Sequence, residues 1–290
     1  MSKPSSKFER IAIVAHPQVS DAKEEAELIT SYLKEFGLEI TSGLLSDETI
    51  HQRVNDGEFD LVIALGGDGT MLRVGHICGP ANVPIMGVNL GRFGFLIEIR
   101  KANWRDFMPR LLGGEYWLER RMMLNAEQFR SGVSLGCWEV LNEVVVGRGQ
   151  IVRPVQLMTE VDGRFLTTYV ADALIASTPT GSTAYALAAG GPILPPEMRT
   201  ILLVAVAPHL SIDRAIVLAE GSSVNITVYT DHQAMLCVDG QAPVELLNED
   251  QVYVHASDHT VQFVRFQDPG YFYRNLTPHM NQNPSTGNSR

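Results

Sequence analysis

The run Leu61-Val62-Ile63-Ala64-Leu65 leads directly into Gly66-Gly67-Asp68-Gly69-Thr70. The apolar stretch reads as a buried strand, and a helix is expected to start at Thr70 or Met71. The glycines let backbone N–H groups approach an anion closely, and the positive end of that helix would point at the same place. Asp68 does not fit a purely anion-binding loop. A carboxylate about 4 Å from a phosphate oxygen costs on the order of 4 kcal/mol at an effective dielectric of 20. Asp68 is then there to act on something else: a metal ion that bridges it to phosphate, or a hydroxyl whose proton must leave. That combination points to phosphoryl transfer to an alcohol. No lysine of the chain follows a glycine, so a Gly-Lys-Ser/Thr phosphate loop is excluded. The Gly-x-Gly-x-x-Gly spacing fails as well, because its third glycine would fall on Leu72. A glycine-rich turn with Asp68 as a helix N-cap accounts for the same residues without chemistry.

The first third of the chain alternates strands and helices. Ile11 to Ala15 reads as a strand ending at His16, which could face phosphate but is better read as a satisfied surface histidine. A helix follows, with Asp21 and Glu24 as a capping box and Ala22, Ala26, Ile29, Leu33 and Phe36 on one face; Gly37 ends it. Leu38 to Leu45, Leu61 to Leu65 and Pro84 to Leu90 read as further strands. This alternation implies an α/β domain with a Rossmann-like, doubly wound parallel sheet whose ligands sit at the carboxyl ends of the strands. The character changes near Phe95 to Ala102. From Tyr116 the period is mostly two, which implies a mainly antiparallel β-domain. Asp162-Gly163 marks a hairpin between Val155–Val161 and Phe165–Val170. Val224–Thr230 with Met235–Val238, and Gln251–His255 with Val261–Phe266, are expected to form two more pairs. The expected domains are 1–98 and 99–268. The segment 269–290 is expected to return to the first domain, with a disordered tail over its last ten residues.

Charge and cysteine usage exclude several classes. The net charge is −10 and no basic run occurs, so nucleic acid is not an expected partner. Residues 1–10 lack the apolar core of a signal peptide, and no stretch of 18 apolar residues exists, so no membrane partner is expected. Cys78, Cys137 and Cys237 are odd in number and widely spaced, which fits reduced thiols and a cytoplasmic location.

Four polar groups stand out between residues 142 and 241. Ser177-Thr178-Pro179-Thr180-Gly181-Ser182-Thr183 carries five hydroxyls after the apolar run Ala173 to Ala176. It offers neutral donors and acceptors suited to an adenine or ribose, or it is simply a Ser/Thr-rich turn. Asn142-Glu143 lies within the strand pattern Trp138 to Val146, and both can reach one ligand only if the strand ends or bulges there. Asp172 interrupts the apolar run Tyr169 to Ala176, where an unpaired buried carboxylate is expensive. Asp239-Gly240-Gln241 reads as a hairpin turn.

Taken in order along the chain, these motifs resemble the NAD kinase family. The likeness rests on Gly66–Thr70, Asn142-Glu143, Ser177 to Tyr185, and the segment Gly87-Val88-Asn89-Leu90-Gly91-Arg92-Phe93-Gly94-Phe95-Leu96. The first motif is shared with lipid and sugar kinases; the third is far more specific. The resemblance implies an NAD kinase-like fold and phosphorylation of the 2′-hydroxyl of the adenosine ribose of NAD. ATP would be the donor and a divalent cation such as Mg²⁺ the cofactor, with metal ligands unassigned. It makes Asp68 the proton acceptor and gives the phosphate loop Gly66, Gly67, Gly69, Thr70 and Arg73. The NAD-binding set it implies is Asp68, Gly69, Asn142, Glu143, Asp172, Thr183, Ala184, Tyr185, Ala186, Leu187 and Ala188, with Arg153 and Gln241 as looser matches. Two positions depart from the family pattern: Ala173 stands where many members have glycine, and Val170 where some bacterial members have arginine. The family resemblance further implies a homodimer or homotetramer. A non-catalytic NAD or NADP sensor, or a lipid or sugar kinase of the same superfold, are the alternatives.

Overall fold

The computed structural model describes residues 8–91, 94–209 and 212–281. Beyond Asn281, the expected disordered tail lies outside the described residues, as do Arg92 and Phe93 of the Gly87–Leu96 segment. The first elements are β1 (Arg10–Ala15), α1 (Ala22–Lys34), β2 (Glu39–Leu44), α2 (Glu48–Asn55), β3 (Leu61–Gly66), α3 (Asp68–Ala81), β4 (Ile85–Asn89), β5 (Ile99–Arg100) and α4 (Trp104–Leu112). There follow β6 (Trp117–Arg130), β7 (Val133–Val140), β8 (Glu143–Arg148), β9 (Val155–Val161), β10 (Arg164–Ala171), β11 (Ala173–Ser177) and α5 (Tyr185–Ala188). The last are β12 (Thr200–Val206), β13 (Ile216–Ala219), β14 (Ser223–Tyr229), β15 (Ala234–Val238), β16 (Val244–Leu246), β17 (Gln251–Arg265) and α6 (Tyr271–Asn281). The chain forms two compact units, one running to 120 and resuming at 260, the other Arg121–His259.

In the first unit β2, β1, β3 and β4 are parallel neighbours in that order, and Phe263 of β17 pairs with Ile85 of β4. The doubly wound sheet expected from the alternation is therefore present. β1, β3 and β4 are buried almost throughout, whereas β2 at the sheet edge carries Glu39, Thr41 and Ser42 and is exposed or half-exposed along its length. Ala22, Ala26, Ile29 and Leu33 of α1 pack in one core with Ile11, Ile63, Val88, Trp104, Met108 and Phe266. Helix α4 belongs to this unit because its buried stripe, Trp104, Met108, Leu111 and Leu112, faces that core. Two details of α1 differ from expectation. Phe36 lies past the helix end and is exposed, and the Asp21 carboxylate accepts from Lys101 and Ser20 rather than capping the helix.

The second unit is antiparallel, as expected. Two sheets, β10-β9-β14-β17 and β13-β12-β11-β8-β15-β16, enclose one core. Leu157, Tyr169, Ile226 and Val252 from one sheet meet Val144, Val146, Leu174 and Leu236 from the other. The β9–β10 hairpin turns at Asp162 and Gly163, whose φ angles of 52° and 70° are those of a type I′ turn. The other two expected pairs do not form. β14 pairs with β9 and β17, whereas β15 pairs with β8 and β16, so the two lie in different sheets. Gln251–His255 and Val261–Phe266 are not partners, because 251–265 is one continuous strand.

Candidate active site

In the first unit the glycine loop sits at the carboxyl end of β3, beside the end of β4, where Gly66 is opposite Asn89. Helix α3 begins at Asp68, two residues earlier than expected, with Gly67 as its cap; the N–H groups of Thr70 and Met71 both reach the Gly67 carbonyl. Thr70 folds back over Gly66, where a Cβ would lie 2.1 Å from its hydroxyl. At Gly67 and Gly69, by contrast, an added Cβ would meet nothing within 4 Å among the described residues, so that stretch of backbone is open to an incoming anion. Arg73, one turn further along α3, is exposed. The Asp68 carboxylate is held from the far side: Phe95 N–H donates to Oδ2 at 2.6 Å and Leu96 N–H to Oδ1 at 3.2 Å. Gly94 permits this approach, since a Cβ there would lie 2.2 Å from the carboxylate carbon.

In the second unit the strand pattern around Asn142-Glu143 does break, between β7 and β8. The cause is a residue that sequence reasoning treated as a plain turn. Asp239, 8% exposed and at φ 48°, accepts N–H bonds from Leu141, Asn142 and Glu143 at 2.7, 2.8 and 2.8 Å. Nothing in the local sequence distinguishes such a carboxylate from a hairpin Asp-Gly. The Ser177–Thr183 loop closes the other side. Thr178 N–H and the Ser177 hydroxyl donate to the Asn142 carbonyl, and the Thr178 hydroxyl donates to that of Leu141 at 2.6 Å. Gly181 presses on the same peptide; a Cβ there would lie 2.2 Å from the Asn142 oxygen.

All five hydroxyls of that loop are engaged internally. Ser182 bonds with Pro179 and Leu194, Thr183 donates to the Thr180 carbonyl, and Thr180 accepts from Arg121. Their density therefore builds the loop, while Thr183, Ala184 and Tyr185 present its outer surface. The Glu143 carboxyl, 7% exposed, is pushed up to about 8, first by burial and then by the Asp239 charge, against a Tyr185 N–H bond that opposes the shift. Its Oε2 has no hydrogen-bond partner among the described residues. A neutral, half-satisfied carboxyl of this kind suits a sugar hydroxyl.

Beside it lies a pocket of about 280 Å³. Val145, Gly147, Ala173, Val206, Met235 and Cys237 form its floor on one face of the second sheet, and Tyr185, 43% exposed, stands over them. Gly147 keeps the floor flat, since a Cβ there would collide with Ala173 at 2.6 Å. On the wall Arg148 Nε lies 3.1 Å from Asp172 Oδ1. Arg148 is a second residue that sequence reasoning missed: it pairs with Asp172 from the neighbouring strand. A flat apolar floor, an aromatic ring and a polar rim fit an aromatic heterocycle. Ala186 is buried in the packing beneath α5, with Leu187 and Ala188 in the same short helix. Arg153 and Gln241 are exposed on loops and do not line this pocket.

An anion loop with a fixed carboxylate, and a ring pocket beside a neutral carboxyl, are the parts of a nucleotide-dependent phosphotransferase. Residues 11–116 match the ATP-NAD kinase N-terminal domain and residues 141–266 the ATP-NAD kinase C-terminal domain. An NAD kinase of Chloroflexus aggregans is 37% identical over 269 residues, 93% of this chain and 97% of the relative. One of Geotalea daltonii is 40% identical over 214 residues, 73% of this chain and 75% of the relative. The fold is also that of a yeast NADH kinase solved with NADH (TM-score 0.78, 24% identity, 98% and 93% of the two chains). It is equally that of an Archaeoglobus fulgidus NAD kinase solved with ATP (TM-score 0.75, 24% identity, 94% and 98%). The chain belongs to the NAD kinase family.

Proposed function

We propose that the protein transfers the terminal phosphoryl group of ATP to the 2′-hydroxyl of the adenosine ribose of NAD, giving NADP and ADP. The chain is an enzyme, an NAD kinase. The observation that carries the residue assignment is the Asp68 carboxylate, fixed by two backbone donors at the mouth of an otherwise anion-binding loop. The 2′-oxygen forms a bond to the γ-phosphorus as the bridging bond to the β-phosphate breaks. Its proton passes to Asp68, and ADP carries away the electron pair. The open backbone at Gly67 and Gly69 faces phosphate, with Gly66 and Thr70 shaping the loop and exposed Arg73 adding positive charge. Asn142 and Glu143 take ribose hydroxyls, and the pocket of Asp172, Arg148 and Tyr185 takes a ring of the dinucleotide. Ala184 and Thr183 line the approach; Arg153 and Gln241 are peripheral members of the set.

No three His, Cys, Asp or Glu side chains gather as metal ligands among the described residues. Asp68, the carboxylate at the glycine loop, would be the side chain to hold a divalent cation such as Mg²⁺ there. When present, such a cation neutralises charge on the phosphoryl oxygens. The three free cysteines support a cytoplasmic location. Exposed Val133 and Leu135 on β7 support self-association as a homodimer or homotetramer.

The test is to incubate the protein with NAD, ATP and Mg²⁺ and read NADP with an NADP-specific dehydrogenase. Asp68→Asn should keep NAD binding and lower kcat about 10²–10⁴-fold, the usual contribution of a positioned base. A near-normal rate for Asp68→Asn would remove Asp68 from the chemistry. NAD binding without turnover by the wild type would favour a sensor.

A further inference from the structure

The loop that holds Asp68 is itself held from behind by a buried ionic cluster. Leu96 donates its N–H to Asp68 and accepts, on its own carbonyl, a 2.8 Å bond from a terminal nitrogen of Arg265. Arg265 is 2% exposed at the end of β17, and its Nε donates to Glu119 Oε2 at 2.8 Å. Glu119, 5% exposed, also accepts from the Tyr271 hydroxyl, 3.1 Å from each of its oxygens. Tyr271 is the first residue of α6, and the guanidinium lies 4.9 Å from its ring centroid and 5.2 Å from that of Phe263. Two residues beyond Leu96, Glu98 accepts the Phe266 N–H at 2.5 Å. The loop is thus pinned at Leu96 and Glu98 by Arg265 and the residue that follows it.

Stability alone gives little reason for this arrangement, because a buried ion pair is often replaceable by apolar side chains without loss. An apolar side chain could fill the volume but could not hold the Leu96 carbonyl. The planar fork of arginine serves two acceptors in fixed directions, here Glu119 and Leu96. Displacement of a reacting group by about 1 Å can cost about 10²-fold in rate.

We infer that Arg265 is a positioning residue for phosphoryl transfer: it fixes Asp68 through Leu96, and Glu119 with Tyr271 of the C-terminal helix fix Arg265. The inference rests on the assignment of Asp68 as proton acceptor. Arg265→Lys retains a positive charge for Glu119 but replaces the fork with a single ammonium. Tyr271→Phe removes only the hydroxyl bonded to Glu119.

The experiment compares steady-state kinetics of both variants in the intact protein with wild type and Asp68→Asn. Arg265→Lys should lower kcat at least tenfold, with KM for NAD and for ATP within about twofold. Tyr271→Phe should lower kcat about threefold with the same KM values. In the Asp68→Asn background Arg265→Lys should change the residual rate by less than twofold, since the group it positions is gone. Amide exchange at Phe95 and Leu96 should quicken in Arg265→Lys.

An Arg265→Lys enzyme with kcat within twofold of wild type, beside an inactive Asp68→Asn, overturns the inference and leaves the assignment of Asp68 standing. A full loss that persists in the Asp68→Asn background overturns it too, as a purely structural effect. If Arg265→Lys does not fold, an unchanged kcat in Tyr271→Phe overturns the inference. An active Asp68→Asn overturns the assignment on which it rests.

Discussion

Glu143 is a carboxyl whose ionisation is opposed both by burial and by Asp239. The folded protein holds its proton up to about pH 8, while the unfolded chain releases it near 4.5. Between those values the unfolded state binds fewer protons, so this group lowers stability as pH rises through that window. The slope is at most about 1.4 kcal/mol per pH unit. Glu143→Gln removes the contribution. Urea unfolding from pH 5 to 8 should show the variant gaining stability on the wild type as pH rises, and parallel curves would show that Glu143 is ionised in the fold. Gly94 is the steric counterpart in the first unit. Its missing Cβ leaves room for the Asp68 carboxylate, so Gly94→Ala must push that side chain from its two N–H donors. Initial-rate kinetics should show kcat reduced about 10–100-fold with KM nearly unchanged, the signature of a displaced reacting group. A rise in KM alone would place the damage in binding.

At the scale of elements, the junction between β7 and β8 depends on Asp239. Asp239→Ala strands three N–H groups, two of them buried, each worth about 1–3 kcal/mol when unsatisfied and partly relieved by entering water. A loss of about 3 kcal/mol by chemical denaturation is expected, with KM for NAD raised at least tenfold. A stability loss without a change in KM would separate the junction from dinucleotide binding.

This junction also shows where sequence reading stops. β3 and the Gly66–Thr70 loop were legible because an apolar run ending in glycines is a local signal. The β9–β10 hairpin was legible for the same reason, since Asp162-Gly163 alone specifies its turn. Asp239 acts on residues nearly a hundred positions away, and Arg148 meets Asp172 only because β8 and β11 are neighbours. β14 and β15 are close in sequence, but β14 takes distant partners in one sheet and β15 in the other. In β17 the polar run Ser257-Asp258-His259 imitates a turn. There the chain leaves the core around Val254 and reaches the core around Val264, so neither face needs apolar residues.

At the scale of the whole molecule, the two cores share no residue, yet only one unit is continuous in sequence. Residues 121–259 carry their complete core on about 140 residues, the usual size of an independent domain. The first unit does not, because its core includes Val264 and Phe266, and its buried Glu119 depends on Arg265 and Tyr271. A fragment ending at residue 120 loses Arg265 and Tyr271, the two partners that enclose Glu119, and opens that side of the core to water. Loss of Phe266 alone is worth about 3–5 kcal/mol, and Val264 goes with it, which is a large share of the roughly 5–15 kcal/mol stability of an ordinary domain. The 121–259 fragment should therefore give a cooperative urea transition and a near-ultraviolet dichroism signal from Trp138, with no kinase activity. The fragment 1–120 should show neither a cooperative transition nor protected amides until a peptide covering 260–281 is added, when both should return. Cooperative folding of 1–120 alone would mean that the C-terminal strand and helix are accessories to the α/β unit. Failure of the peptide to restore it would mean that this unit needs the second one to fold.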